Sequence, residues 1–241
     1  MPANPDSGSF PDYYGQAYYR QIAEEADRGG RSHRWRLRWL DAMVDVRPGE
    51  RIVDLGAGAG IISRHLARRG AVVEGVDLAP EAVAVARRRC EGLPVRFAVA
   101  DAARCHHLAD ASFDKAVSCD LIEHVEDDTM RGVLREAWRL LKPGGLFYVY
   151  SPNRDHWIER MKARNFLLKN PAGHIRVRPV REVVAAMEQC GFQIVRVARP
   201  PSMLPIVQWL EWIWMRLPIC PDLAVYRISV LARKPAPGRA P

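Results

Sequence analysis

The chain has 241 residues, 48% of them hydrophobic, enough to bury one substantial core but little for two independent ones. Its five cysteines are scattered without a C-x-x-C pair, which argues against a disulfide scaffold or a compact thiolate zinc site and leads us to expect a reducing cytoplasm and no metal centre. No apolar run is long enough to cross a bilayer, and much of the net charge of +8 is arginine on helix faces such as Arg87-Arg88-Arg89, so a solvated basic surface is the default reading.

Residues 1–48 read as an N-terminal arm followed by helices, roughly Tyr14 to Ala26 and Trp35 to Val44, in which apolar positions recur at helical spacing. From residue 49 onward strands alternate with helices. Arg51 to Leu55 is a short apolar strand, and Ile61 to Arg69 is a helix closed by Gly70. Val72 to Val76 is the second strand, and Pro80 opens a helix that Gly92 and Pro94 close. Val95 to Val99 and Phe113 to Ser118 are the next strands, Thr129 to Leu141 a helix, Pro143-Gly144-Gly145 a turn, and Leu146 to Tyr150 a fifth strand. Continuous apolar strands, most of them followed by a helix, predict a mostly parallel, doubly wound α/β sheet of the Rossmann-like kind, covered on both faces. After Tyr150 the rhythm breaks. Insertions near 151–178 and 200–221 flank a helix from Pro179 to Cys190 and a strand from Phe192 to Val197, and a last strand from Ala224 to Leu231 is compatible with an antiparallel pair at the sheet edge, giving seven strands in all.

The sharpest local feature is Val53-Asp54-Leu55-Gly56-Ala57-Gly58-Ala59-Gly60-Ile61. A strand running into alternate glycines lets the backbone turn tightly, approach a ligand and aim a helix N-terminus at it. The spacing is not the G-x-G-x-x-G of dinucleotide sites, and Asp54 just before the glycines would repel a diphosphate but can receive a charged amino group. Asp77, ending the second strand, is placed either to accept bonds from two ribose hydroxyls or to cap the helix at Pro80. Asp101, just past the third strand, either receives an adenine amino group, with the Ala102 backbone near the ring, or caps a short turn.

Residues 50–150 resemble the class I S-adenosylmethionine-dependent methyltransferases, especially the small-molecule and quinone-biosynthetic group. The resemblance is carried by Asp54 to Gly60, Asp77, Asp101, Cys119-Asp120-Leu121-Ile122-Glu123-His124-Val125 and Leu141-Lys142-Pro143-Gly144-Gly145. It implies S-adenosylmethionine as cofactor. Gly56, Ala57, Gly58 and Gly60 would lie at its amino acid end, Asp77 and Leu78 at the ribose, Asp101 and Ala102 at the adenine, and Cys119 and Asp120 at the methionyl part. Tyr14, Tyr18 and Tyr19 either close that pocket or pack as a helical aromatic stripe.

Methyl transfer from a sulfonium needs alignment and, for some acceptors, removal of a proton. His124 and His156 are the candidate catalytic bases, each with the alternative of ordering its own loop. Asn153, Arg154, Trp157 and His174 are candidate substrate contacts, and Trp209 and Trp212 lie in an apolar segment that could cover an oily pocket, rest on a membrane surface or pack as a buried helix. The Asn/Asp-Pro-Pro-aromatic loop of amide and DNA-base methyltransferases is absent after the fourth strand. The expected partner is a hydrophobic small molecule, with oxygen weakly favoured as the acceptor atom. Peripheral membrane contact is allowed and RNA is disfavoured despite the basic insertion. An RNA or other macromolecule methyltransferase and a noncatalytic adenosylmethionine-fold binding protein are the alternatives.

Overall fold

Seven strands form one sheet: β1 (Arg51–Leu55), β2 (Val72–Asp77), β3 (Val95–Val99), β4 (Phe113–Cys119), β5 (Leu141–Pro152), β6 (Gln193–Ala198) and β7 (Arg227–Arg233). Their order across the sheet is β3-β2-β1-β4-β5-β7-β6. The computed structural model describes residues 15–164, 173–203, 205–216 and 221–236. β1 to β5 run parallel, and β7 returns antiparallel between β5 and β6, so the last two strands at that edge form the antiparallel pair. The order reverses between β1 and β4. In open sheets of this kind, ligands bind outside the carboxyl ends of the strands at such a switch point.

The helices are α1 (Gln16–Asp27), α2 (Arg31–Met43), α3 (Ile61–Arg68), α4 (Pro80–Arg89), α5 (Asp127–Leu140), α6 (Trp157–Ala163), α7 (Val180–Gln189) and α8 (Pro205–Trp214). Because successive strand residues point to opposite faces, β1 and β4 each feed two cores. Val53, Leu55 and Ala116 join Phe147, Val149, Val133, Leu134, Val183 and Met187 beneath α5 and α7. Ile52 and Val117 join Tyr148, Tyr150, Leu40, Met43, Ile62 and Leu66 beneath α2 and α3. Helix α2 thus supplies fully buried core residues to the sheet, and α1 is tied to α3 and α4 by Asp27, which pairs with Arg64 and Arg89.

Several boundaries differ from the expectation. The Pro143-Gly144-Gly145 turn is absorbed into β5 as an irregularity opposite Phe113 and Lys115, because Gly144 adopts a left-handed φ of 83° and donates its N–H to the Lys234 carbonyl just past β7, while the Lys234 N–H donates to the Gly145 carbonyl. Residues 221–224 form a short 3-10 turn, so β7 starts at Arg227 instead of Ala224. The 151–178 insertion contains a helix, α6, that its basic and aromatic composition did not reveal. No helix among the described residues is long and apolar enough to cross a membrane.

Candidate active site

The carboxyl ends of β1, β2 and β4 bring most of the expected cofactor residues together. Leaving β1, the N–H groups of Gly56 and Ala57 both donate to the Val76 carbonyl at 2.9 Å, which folds the glycine loop across the end of β2. Gly56 has φ +82°, and a Cβ there would stand 3.0 Å from the Leu121 side chain, so the glycine is required both by conformation and by the approach of the β4 loop. Gly58 has φ +51° and open space where a Cβ would point, while Gly60 is the left-handed residue that starts α3. Tyr19 packs with Ala23, Ala59 and Val85 against this loop, and its ring meets that of Tyr18 at 5.3 Å. Tyr14 lies outside the described residues.

Asp54 is buried beneath the loop and accepts a 2.6 Å bond from the Ser63 hydroxyl. Burial pushes its carboxyl up to about 7 against the opposing Ser63 bond, with Asp77 adding to the rise. Asp77 accepts from the Gly58 N–H at 2.8 Å and from the Ala79 N–H at 3.0 Å. Burial raises its pKa against these backbone bonds. Asp101 is exposed and accepts from the Ala103 N–H at 2.8 Å, while Ala102 is buried. Both acids therefore make the local turn bonds of the capping alternative, and Asp77 also reaches across to the glycine loop. Two exposed apolar side chains, Leu78 and Val99, flank Asp77 at the ends of β2 and β3.

The loop after β4 carries the densest electrostatics. Asp120 has φ +52°, rare for a residue other than glycine, and its N–H donates to the Tyr150 carbonyl. Its carboxylate is clasped by Arg36 from α2 and by Arg227 at the start of β7. Burial opposes the Asp120 charge, but the two guanidiniums outweigh it and hold the carboxyl below the ordinary range. Glu123 is buried, accepts from the Ser151 hydroxyl at 3.0 Å, and is pushed up to about 8 by burial and by the Asp120 charge. Burial also drives the Cys119 thiol well above its usual range, so it stays a neutral wall of the site.

His124 ends a one-turn 3-10 segment, Ile122–His124. Its Nδ1 lies 2.8 Å from the Gly173 carbonyl, and its ring meets the His174 ring edge-on at 5.0 Å. Burial and the nearby His124 depress His174 to about 4, which leaves it a neutral imidazole. Glu123, His124 and His174 bring ligand atoms within 4.8 Å of one another. This donor cluster was invisible in the sequence, where His174 stands fifty residues from the adjacent Glu123 and His124. The returning strand of chain is fixed by Ile175 and Arg176, whose N–H groups donate to the Glu123 carbonyl, and by fully buried Arg178, which bonds the Ile122 and Val125 carbonyls and Asp127. Arg176 also pairs with Asp127, so these two cations of the basic insertion are engaged in internal ion pairs.

Other expectations need correction. His156 is completely buried; its Nε2 lies 2.8 Å from Glu211 and its Nδ1 accepts from the Ile158 N–H, so both ring nitrogens are engaged and it caps α6 instead of facing an acceptor. Asn153 is also buried and donates to the Val225 carbonyl at 2.7 Å, joining the end of β5 to the approach of β7. Arg154 is exposed, and Trp157 donates from its indole N–H to Glu211 at 3.1 Å. Trp209 and Trp212 are 61% and 52% exposed on the outside of α8, so they neither line an enclosed pocket nor form a buried packing helix. Arg36 and Arg227 went unnoticed because each was one arginine among many in the sequence. Only the fold puts them on the same carboxylate.

Comparison with known proteins agrees with this geometry. The methyltransferase domain family matches residues 52–145, the span from β1 to the start of β5. The ubiquinone biosynthesis O-methyltransferase of Pseudomonas entomophila is 34% identical over 122 residues, covering 50% of this chain and 51% of that protein. The enzyme of the same name from Xanthomonas oryzae pv. oryzae is 37% identical over 121 residues, with 49% of each covered. The chain thus aligns with about half the length of these curated relatives. Among solved structures, a TehB-like SAM-dependent methyltransferase from Corynebacterium glutamicum superposes with a TM-score of 0.61 at 18% identity, covering 91% of this chain and 97% of that one, which shows a shared fold. The glycine loop and the acidic end of β2 both lie within the residues that match the methyltransferase domain family, and the sheet order is consistent with the fold shared with the TehB-like structure.

Proposed function

We propose that this protein transfers the methyl group of S-adenosylmethionine to an oxygen of a hydrophobic or aromatic small molecule. The observation that carries the reading is the arrangement at the ends of β1 and β2. There an open glycine loop, a buried acid and an acid bonded to the loop share one rim, with apolar Leu78 and Val99 exposed beside them. The residues fit the cofactor in detail. Gly58 leaves space for the amino acid end, Asp54 provides a carboxyl whose ionisation a cationic neighbour would favour, and Arg36 offers a guanidinium for a carboxylate. Asp77 suits two ribose hydroxyls, and the apolar pair suits a flat base, with Asp101 and Ala102 beyond.

When bound, the cofactor supplies a methyl group on a sulfonium, an electrophile with a good leaving group. The chain's own part is alignment and proton management. Asp120, fixed by Arg36 and Arg227, holds the β4 loop against the glycine loop through Leu121. His124, held at Nδ1 by the Gly173 carbonyl, is the residue we assign to accept a proton from an acceptor hydroxyl, and neutral His174 stands edge-on to its ring. The similarity to O-methyltransferases of quinone biosynthesis supports oxygen as the acceptor atom. The test is formation of S-adenosylhomocysteine with phenols, quinols, amines and RNA offered in parallel. Turnover with phenols or quinols is expected, and turnover with RNA alone would overturn the reading.

A further inference from the structure

Helix α8 has its amphipathicity inverted. Ile206, Trp209, Leu210 and Ile213 recur at i, i+3, i+4 and i+7, the spacing of a stripe that normally faces a core. Yet Ile206 is 79% exposed, Trp209 61% and Leu210 53%, and exposed Trp212 widens the stripe. The polar residues are on the inside: Gln208 is half-buried and Glu211, the helix's only charged residue, is buried. Glu211 is fully engaged there by the His156 ring, the Trp157 indole N–H and the Ser202 N–H. What remains outward is an apolar face with no charge of its own, the kind of patch that marks an interaction surface.

The surrounding charge selects the partner. Arg160 and Arg164 follow Trp157 at i+3 and i+7, on the side of α6 that meets α8, and both are exposed. Arg216, just past α8, is exposed and lays its guanidinium 3.1 Å from the centre of the Trp212 ring. Among the described residues none of these three arginines has an ion-pair partner, whereas the acids of the α6 segment, Asp155 and Glu159, are neutralised by Arg181 and Lys162. A second copy of this chain would bring like-charged rims together. A lipid surface of opposite sign would take the tryptophans and aliphatic side chains into its acyl boundary and the guanidiniums among its phosphates.

We propose that α8 seats the protein on an anionic lipid bilayer as a helix lying in the plane of the interface, with Arg160, Arg164 and Arg216 at headgroup level. The same contacts place this face beside the candidate site. Glu211 holds His156, whose ring lies 5.0 Å from Tyr226, and the next residue, Arg227, holds Asp120. An oily acceptor dissolved in the bilayer would therefore arrive next to the β4 loop. The proposal rests on surface geometry and does not require the methyl-transfer reading.

The test is co-sedimentation of the full chain with phosphatidylcholine vesicles, with and without phosphatidylglycerol. Binding should be about tenfold stronger to the anionic vesicles and fall with added salt. The double variant Ile206→Ser/Leu210→Ser should lose about tenfold in partitioning while keeping its circular dichroism and its calorimetric affinity for S-adenosylmethionine. Arg160→Ala/Arg164→Ala/Arg216→Ala should bring anionic vesicles down to the neutral level. Absence of vesicle binding, undiminished binding by the double serine variant, or a concentration-dependent dimer in ultracentrifugation that this variant abolishes would each overturn the proposal. Cofactor affinity, measured on the same samples, reports separately on the methyl-transfer reading.

Discussion

Replacing Asp54 by Asn should make the protein more stable and less able to bind its cofactor, and the stability gain should depend on pH in a defined way. Asp54 is 1% exposed, and burial raises its pKa from the ordinary 3.8 to about 7 in the folded chain. The folded state therefore holds a proton that the unfolded state has released, so wild-type stability falls as pH rises through that interval. A displacement from 3.8 to about 7 corresponds to about 4 kcal/mol, accumulating at about 1.4 kcal/mol per pH unit and complete once the folded carboxyl has ionised. Asn is nearly isosteric and its amide oxygen can keep the Ser63 bond, so its stability lacks this dependence. Any penalty for the additional N–H is constant with pH and leaves the slope untouched. Urea unfolding of both proteins between about pH 5 and pH 8 should show the curves separating up to neutrality and running parallel beyond it. Parallel curves throughout would mean that Asp54 is an ordinary carboxylate whose burial does not raise its pKa. The same variant should bind S-adenosylmethionine about tenfold more weakly, because an amide cannot ionise beside a cationic ligand.

Asp77→Ala removes the acceptor shared by Gly58 and Ala79 and should weaken S-adenosylmethionine binding by about 10- to 100-fold in calorimetry; unchanged binding would reject the ribose assignment. His124→Ala should lower turnover by about 100-fold with cofactor affinity nearly intact, and a wild-type pH profile of turnover in this variant would remove it as the base. Glu211→Ala leaves the His156 ring, the Trp157 indole and the Ser202 N–H without their shared acceptor, and should destabilise the fold by about 3 kcal/mol in thermal unfolding. Loss of stability below about 1 kcal/mol would show that the joint between α6 and α8 is redundant.

Much of the sheet and its ligand end could be read from residue order because both are written in local terms. A short apolar strand, a glycine or proline punctuation and an amphipathic helix each depend on neighbours a few positions away, and Asp54, Gly56, Gly58 and Asp77 fall at strand ends whose location that rhythm fixes. The boundaries that slipped, at Gly144 and at Ala224, are places where backbone bonds to a distant strand override local preference.

Tertiary structure alone decided how charges and protons are distributed around the site. Whether an arginine is solvated or, like Arg36 and Arg227, closes on one carboxylate depends on helices and strands from opposite ends of the chain. Whether a histidine can reach a substrate or, like His156, is sealed in a buried bond depends on what a later helix brings against it. Sequence patterning correctly singled out α8 as apolar, but the side that faces solvent was set by Glu211 turning inward to satisfy three donors. With Glu211 turned outward these donors would lose their shared acceptor, a cost that arises only in the folded chain.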